Sequence, residues 1–373
     1  MPGRMKELRD GSITRALLSQ IGAKTSGLDR PVRIMEVCGT HTMTIHRYGL
    51  KTLLGEAGVD MVSGPGCPVC ITPNEVHEAC IDLVATRENL ILASFGDMTR
   101  VPTRKGSLQT AIPAPFSRVK IVYSPEEALD LARGNPAKEV VFFGVGFETT
   151  IPGIALTVKR AAEERVPNFS TLSALWLIPP ALRAILQAGE SAVSGFLYPG
   201  HVSAIIGLEP YRSIAEEFGI PGAVAGFEPN DILLGISAVL DQIMEGQPGV
   251  YLEYGRVVSP QGNPVARALM EEMLEPKDAS WRGLGRIPLS GLAFKEPYRH
   301  YDARVKHNLS FREGSGDLPG CRCGEVLRGL ISPPQCPLFG KKCGPDSPFG
   351  PCMVSFEGAC FVYHKYDRGK ENG

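Results

Sequence analysis

A mixed α/β fold is what this sequence predicts: two similar domains on parallel sheets, then a loop-rich, mostly helical region tied together by cysteines. Three observations carry the expectation. From residue 32 to residue 245, apolar extended runs alternate with helical patterns, which is the signature of βαβ units and parallel pairing. Motifs recur in the same order in the two halves of that stretch. The ten cysteines form two groups, four between residues 38 and 80 and six between 321 and 360, which sets the C-terminal region apart.

Taken in order, Ile13, Leu17, Leu18 and Ile21 lie at helical spacing and predict a short N-terminal helix (1–24) docked on a larger body. Strands are expected near 32–37, 58–63, 90–95, 119–123, 139–145, 171–178, 194–198 and 220–226. Helices are expected near 43–56, 73–88, 125–133, 151–165, 180–188, 209–218 and 229–245. The run from Val32 to Cys38-Gly-Thr-His41-Thr matches that from Val140 to Gly146-Phe-Glu148-Thr-Thr: a strand, a small residue, a polar residue, then Thr at a helix start. Gly64-Pro-Gly-Cys67 has a counterpart in Tyr198-Pro-Gly-His201, and Ser94-Phe-Gly-Asp97 in Gly226-Phe-Glu228-Pro. Two Rossmann-like α/β domains are therefore expected, 25–118 with Cys38, Cys67 and Cys70, and 119–245 with Glu148 and His201. Ligands of open α/β sheets gather beyond the carboxyl ends of the strands. Cys38, His41, Cys67, Cys70, Asp97, Glu148 and His201 all fall there, so a cleft between the domains is expected to collect them. In 246–373 helical periodicity survives only at 264–275, and a metal centre is expected to supply the missing cross-links.

Composition narrows the function. With 39 basic and 40 acidic residues in 373, no charge excess argues for nucleic acid or an anionic membrane as partner. The N-terminus lacks the apolar core of a signal peptide, and no uncharged apolar run reaches the roughly 18–20 residues that span a bilayer. A cytoplasmic, soluble protein is expected. Reducing cytosol keeps thiols open, so ten cysteines there point to metal or redox chemistry.

The loop Gly64-Pro-Gly-Cys67-Pro-Val-Cys70 holds two thiols in one small volume before a helix start, with Thr72 read as N-cap, Pro73 as first helical residue and Glu75 as capping-box partner. The positive end of that helix favours thiolate, the form that attacks disulfides or binds metal. Cys38, at a strand end beside Gly39 and three residues before His41, reads as a soft-metal ligand or reactive thiol rather than a core residue. Cys323, Cys336, Cys343 and Cys360 are separated by 12, 6 and 16 residues, a set that suits a 4Fe-4S cluster or a structural zinc. The two tight Cys pairs of a zinc ribbon are absent, which favours the cluster. Cys321 and Cys352 are left over; either could replace a neighbour as ligand, and Cys321, two residues from Cys323, is the nearer rival. Glu148 either carries protons or caps the following helix; His201 either serves the site or satisfies a carbonyl. Cys80 reads as core, His46 as a surface residue, and His77 has no evident partner. Gly144-Val-Gly146-Phe-Glu lacks the third glycine of a dinucleotide loop.

Together Cys38-Gly-Thr-His-Thr, Gly64-Pro-Gly-Cys-Pro-Val-Cys70, Gly146-Phe-Glu-Thr-Thr150, Pro199-Gly-His-Val-Ser203 and the Cys323/Cys336/Cys343/Cys360 spacing resemble the HypD family, maturation factors of NiFe hydrogenases. The match runs over nearly the whole chain. The resemblance implies two α/β domains with a 4Fe-4S domain, and a complex with the small chaperone HypC. On that complex an iron centre bearing two cyanides and one carbon monoxide is assembled, with cyanide delivered by HypE and HypF and the hydrogenase large-subunit precursor served indirectly. It also implies Cys38 as ligand of the iron under assembly, Cys67 and Cys70 as a redox-active or iron-binding pair, and His41, Glu148 and His201 as cleft residues. A free-standing iron-sulfur reductase of protein disulfides, acting through Cys67 and Cys70, is the alternative; it has no need of Cys38 and His41.

Overall fold

The computed structural model describes residues 6–112, 118–311 and 316–367. Both chain ends of the expected segments, and the close of 25–118, lie outside the described residues. Eleven strands are described: β1 (Val32–Glu36), β2 (Val59–Ser63), β3 (Leu90–Ser94), β4 (Val119–Ile121), β5 (Glu139–Gly146), β6 (Phe169–Leu175), β7 (Gly195–Pro199), β8 (Gly222–Ala225), β9 (Val250–Leu252), β10 (Leu274–Trp281) and β11 (Gly285–Phe294). All pairs among β1 to β9 are parallel, as the alternation with helices requires.

The strands are shared out differently from the contiguous segments 25–118 and 119–245. One sheet (sheet A) runs β2-β1-β7-β8-β9 and the other (sheet B) β4-β3-β5-β6. The chain thus starts sheet A, builds all of sheet B, and returns to finish sheet A. The repeat is only half kept: the turns after β1 and β5 lie in different sheets, but Gly64-Pro-Gly-Cys67 and Tyr198-Pro-Gly-His201 follow β2 and β7, which flank β1 in the same sheet. Strands buried on both faces read as plain apolar runs, so their sequences do not encode their neighbours.

The N-terminal helix, Gly11–Thr25, is capped by the Asp10 carboxylate, which accepts from the Ser12 and Ile13 amides (2.8 and 3.3 Å). It buries Leu17 and Ile21 with the helix Pro229–Glu245 against sheet A. The helix expected at 43–56 is two, Gly39–Arg47 and Leu50–Glu56, broken where Gly49 takes a left-handed φ of 70°. The mostly helical expectation for 246–373 is corrected by the antiparallel hairpin β10-β11, the longest structure in that segment, whose turn glycines Gly283 and Gly285 also take positive φ. Its helix Pro264–Met273 falls where periodicity places it. One continuous core joins Met35 and Tyr198 of sheet A, Phe143 of sheet B, the Cys67 and Cys70 turn, and Cys323, Cys343, Cys352 and Cys360. Two smaller cores close the outer faces of the sheets.

Candidate functional site

In sheet A the chain leaves β1 on one side for β2 and on the other for β7; a crevice opens at such a switch in strand order. The loops beyond β1 and β7 carry Cys38, His41 and His201. Sheet B switches between β3 and β5, and the loops there carry Asp97 and Glu148.

Cys38 is the N-cap of Gly39–Arg47 and is 8% exposed. The Glu36 carboxyl fixes it from below, accepting the Cys38 amide (3.0 Å) with one oxygen and the Thr42 hydroxyl (2.6 Å) with the other. Burial, with the Glu357 carboxyl nearby, pushes the Cys38 thiol up to about 12, while the amides of His41 and Thr40 oppose the rise. Burial likewise lifts Glu36 to about 7. Gly66 makes the neighbouring loop possible: its amide carbonyl accepts from Gly39 (3.2 Å), and a Cβ there would stand 2.3 Å from the Cys38 nitrogen.

Cys67 and Cys70 form a disulfide. They sit on a separate turn, Pro68–Ile71, with Cys67 as its N-cap. The expected cap at Thr72 is corrected: Thr72 ends this turn, its hydroxyl donates to the Pro68 carbonyl (2.7 Å), and the next helix is Asn74–Thr86 with Pro73 as N-cap. A tight turn followed by proline satisfies its own hydroxyl locally before the next helix starts. Arg282, in the β10-β11 turn, fastens the segment: its amide donates to the Ile71 carbonyl (2.8 Å), its Nε to Thr72 (3.2 Å), and its remaining nitrogens bind Asn74 and Asp317.

His41 is fully buried, and burial lowers it to about 4. Its Nε2 donates to the Gly226 carbonyl (2.9 Å), which leaves Nδ1 as a bare, unpartnered acceptor. Phe227 lies between the two candidate histidines, 4.9 Å from the His41 ring and 4.1 Å from the exposed His201 ring. Glu148 is buried and pushed up to about 8; its Oε1 caps Ile178–Ala188 through the Ile178 amide (3.0 Å), not the helix that follows it, and its Oε2 has no partner. Tyr211, fully buried, lies within electrostatic range of both Glu148 and Cys38 and so links the two sheets' loops. Asp97 pairs with Arg100 (2.8 Å), whose guanidinium also donates to the Val354 carbonyl (3.1 Å).

The C-terminal thiols lie on one-turn helices and loops, except Cys360, which is on the helix Ala359–Tyr366. Cys321, Cys323, Cys336, Cys343 and Cys360 line a small cavity together with Leu338, Phe339 and Phe349. Cys352, left out of the expected four, is fully buried and in hydrogen bonds with Cys323 and Cys360, which hold it down to about 6. Its turn, Pro351–Val354, packs on Pro68–Ile71 and so joins the nest to the disulfide. Among the described residues no three His, Cys, Asp or Glu side chains converge closely enough to hold a single metal ion. Sulfurs spread around a cavity suit a cluster, which takes its four thiolates at separate irons. Gly350 belongs to the same cradle, since a Cβ there would meet the Cys323 and Cys321 sulfurs at 2.6 and 2.7 Å.

Two other histidines differ from expectation or extend it. His46 is buried, bound through Nδ1 to Asp367 and tilted against the Tyr363 ring (4.1 Å between centroids), because the helix Ala359–Tyr366 covers its face. His77 is buried with both ring nitrogens unpartnered, edge-on to Phe143 (5.4 Å). Cys80 is core, as expected. Glu36, Glu357, Tyr211 and Arg282 carried no local signal; only their neighbours in space give them a role.

Fold and site together define a two-sheet α/β protein with two thiol centres in one core. The chain belongs to the HypD family: the family model described as "Hydrogenase formation hypA family" matches residues 12–367. It is 43% identical over 368 residues to the hydrogenase maturation factor HypD of Rhodobacter capsulatus, covering 96% of this chain and 97% of that one. It is 43% identical over 339 residues to HypD of Escherichia coli K12 (91% and 90%), and 41% identical over 371 residues to the hydrogenase expression/formation protein HupD of Azotobacter chroococcum (98% and 97%).

Proposed function

We propose that the chain is a hydrogenase maturation factor on which, in complex with a HypC-type chaperone, an iron centre bearing two cyanides and one carbon monoxide is assembled. The observation that carries this reading is the meeting of the Cys38 loop, the Cys67–Cys70 turn and the His41, Phe227 and His201 rings at one end of sheet A. Cys38 holds the iron cargo, a soft thiolate on a soft, low-spin metal. The thiol keeps its proton until iron displaces it, because burial disfavours the free thiolate. His41 and His201 set the floor through Phe227, and Glu148 holds or releases a proton near neutral pH. Cyanide arrives from HypE and HypF, and the hydrogenase large-subunit precursor is served indirectly.

The donor set of the C-terminal nest fits a 4Fe-4S cluster, held by Cys336, Cys343 and Cys360 with either Cys323 or Cys321. When bound, the cluster supplies electrons one at a time. Opening the Cys67–Cys70 disulfide consumes two electrons and two protons. The reductase alternative draws on the same pair, but Cys67 and Cys70 are 3% and 0% exposed, closed to a second protein's disulfide.

The test is infrared spectroscopy of the anaerobically isolated complex with the small partner. Cyanide and carbonyl bands are expected in the wild type and lost in Cys38→Ala, with visible iron-sulfur absorbance retained. Wild-type bands in Cys38→Ala would overturn the ligand role and put the reductase reading first.

A further inference from the structure

Away from both thiol centres, a cavity of about 200 Å³ opens between the end of β6, the first turn of Asn74–Thr86 and the β10-β11 hairpin. Its wall carries three cations, Lys277, Arg286 and Arg304, and two carboxylates, Glu75 and Asp278. The carboxylates are committed. Asp278 pairs with Arg286 (3.4 Å) and accepts the Leu289 amide (3.1 Å), and Glu75 is not free. Lys277 and Arg304 are left with no ion pair among the described residues. The Arg304 guanidinium lies over the Phe311 ring, 4.5 Å from its centre, and its Nε is buried without an acceptor. The nearby Asp302 spends an oxygen on the Arg304 backbone amide (2.8 Å). Burial and the like charge of Arg304 bring Lys277 down to about 8, as expected of two cations that share too little counter-charge.

Trp176, another wall of the cavity, is 4% exposed, and its indole N–H has no acceptor. Half-buried cations left unpaired are costly. Oxygen acceptors with negative charge would pair with both cations at once by charge-assisted hydrogen bonds. The volume is below the roughly 300 Å³ at which drug-sized ligand pockets begin, which selects a small species.

We propose that this cavity binds a small oxyanion, a phosphate or a short carboxylate, between Lys277 and Arg304, with the Trp176 ring as an apolar wall. The chain has two tryptophans, Trp176 and Trp281, whose rings lie 5.5 Å apart, so intrinsic fluorescence reports on the cavity directly. The experiment titrates the full-length protein with sodium phosphate and, separately, sodium acetate, with ionic strength held constant by sodium chloride. A saturable fluorescence change is expected with at least one of the two, and which one responds separates phosphate from carboxylate. Lys277→Met and Arg304→Met should each weaken half-saturation by about tenfold or more, equivalent to about 1.4 kcal/mol. Lys277→Arg, which keeps the charge, should bind within a few-fold of wild type and guards against a Lys277→Met protein that merely misfolds. The proposal is overturned if neither anion gives a saturable change, or if both Met variants, folded by circular dichroism, titrate like wild type.

Discussion

The two thiol centres are held by opposite means. Cys38 and the Cys67–Cys70 turn hang from strand ends whose backbone is already paired, and the groups around them are amides, carbonyls and a buried carboxyl. The C-terminal nest has no strand beneath it among the described residues: its sulfurs sit on short helices and loops, with Cys352 beside Cys323 and Cys360. The first centre is placed by the fold, whereas the second helps to hold its own segment together. Removing sulfur should therefore do little to the first and much to the second.

The largest effect is expected from Cys336→Ala or Cys343→Ala. Either should abolish visible iron-sulfur absorbance and lower stability by several kcal/mol, since metal-binding energy in a segment of short helices and loops counts as folding energy, about 10 kcal/mol in small zinc sites. Full retention of cluster iron in both would sink the assignment. Cys352→Ala should now weaken cluster retention too.

Next comes Gly66→Ala, which forces a Cβ to within 2.3 Å of the Cys38 backbone nitrogen. Overpacking against backbone costs about 1–3 kcal/mol, read from denaturant unfolding, and the Cys38 site should be lost with it. A wild-type midpoint would show that the two loops do not touch.

Glu148 sharpens the contrast through pH. Its folded pKa of about 8 lies above the ordinary 4.5, so the unfolded chain ionises first and stability falls as pH rises from 4.5 to about 8. Comparing Glu148→Gln with wild type across that window should remove a slope of at most about 1.4 kcal/mol per pH unit. Parallel curves would mean that Glu148 is solvated. The smallest stability change is expected from Cys38→Ala, within about 1 kcal/mol, although it should cost the protein its iron cargo; a change of several kcal/mol would contradict the comparison.

Much of this was legible in the sequence for physical reasons. Eight of the strands and the helices between them announce themselves by period, and Cys38, His41, Cys67, Glu148 and His201 fall at strand ends because βαβ units put functional loops there. Sheet membership was not legible, since it is decided by packing between segments far apart in the chain. The burial of His46 depends on a helix more than 300 residues away, and its own neighbours give no hint of it. The hairpin β10-β11 was hidden by its Pro, Lys and Asp residues and by a bulge between Lys277 and Ala279, which break strict alternation. The full burial of Cys352 beside Cys323 and Cys360 was not legible, because spacing orders sulfurs along the chain and not in space.

The return of the chain to its first sheet also sets an order of assembly during synthesis. When the ribosome has released residue 175, every strand of sheet B has been made, yet sheet A has only β1 and β2. The right-hand neighbour of β1 is not made until residue 199, and the edge strand not until residue 252. Domains tend to fold as units while the chain emerges. The thiol nearest the N-terminus is thus among the last to find its surroundings, and a nascent chain has no finished pocket around Cys38 before the rest of sheet A is there to close it.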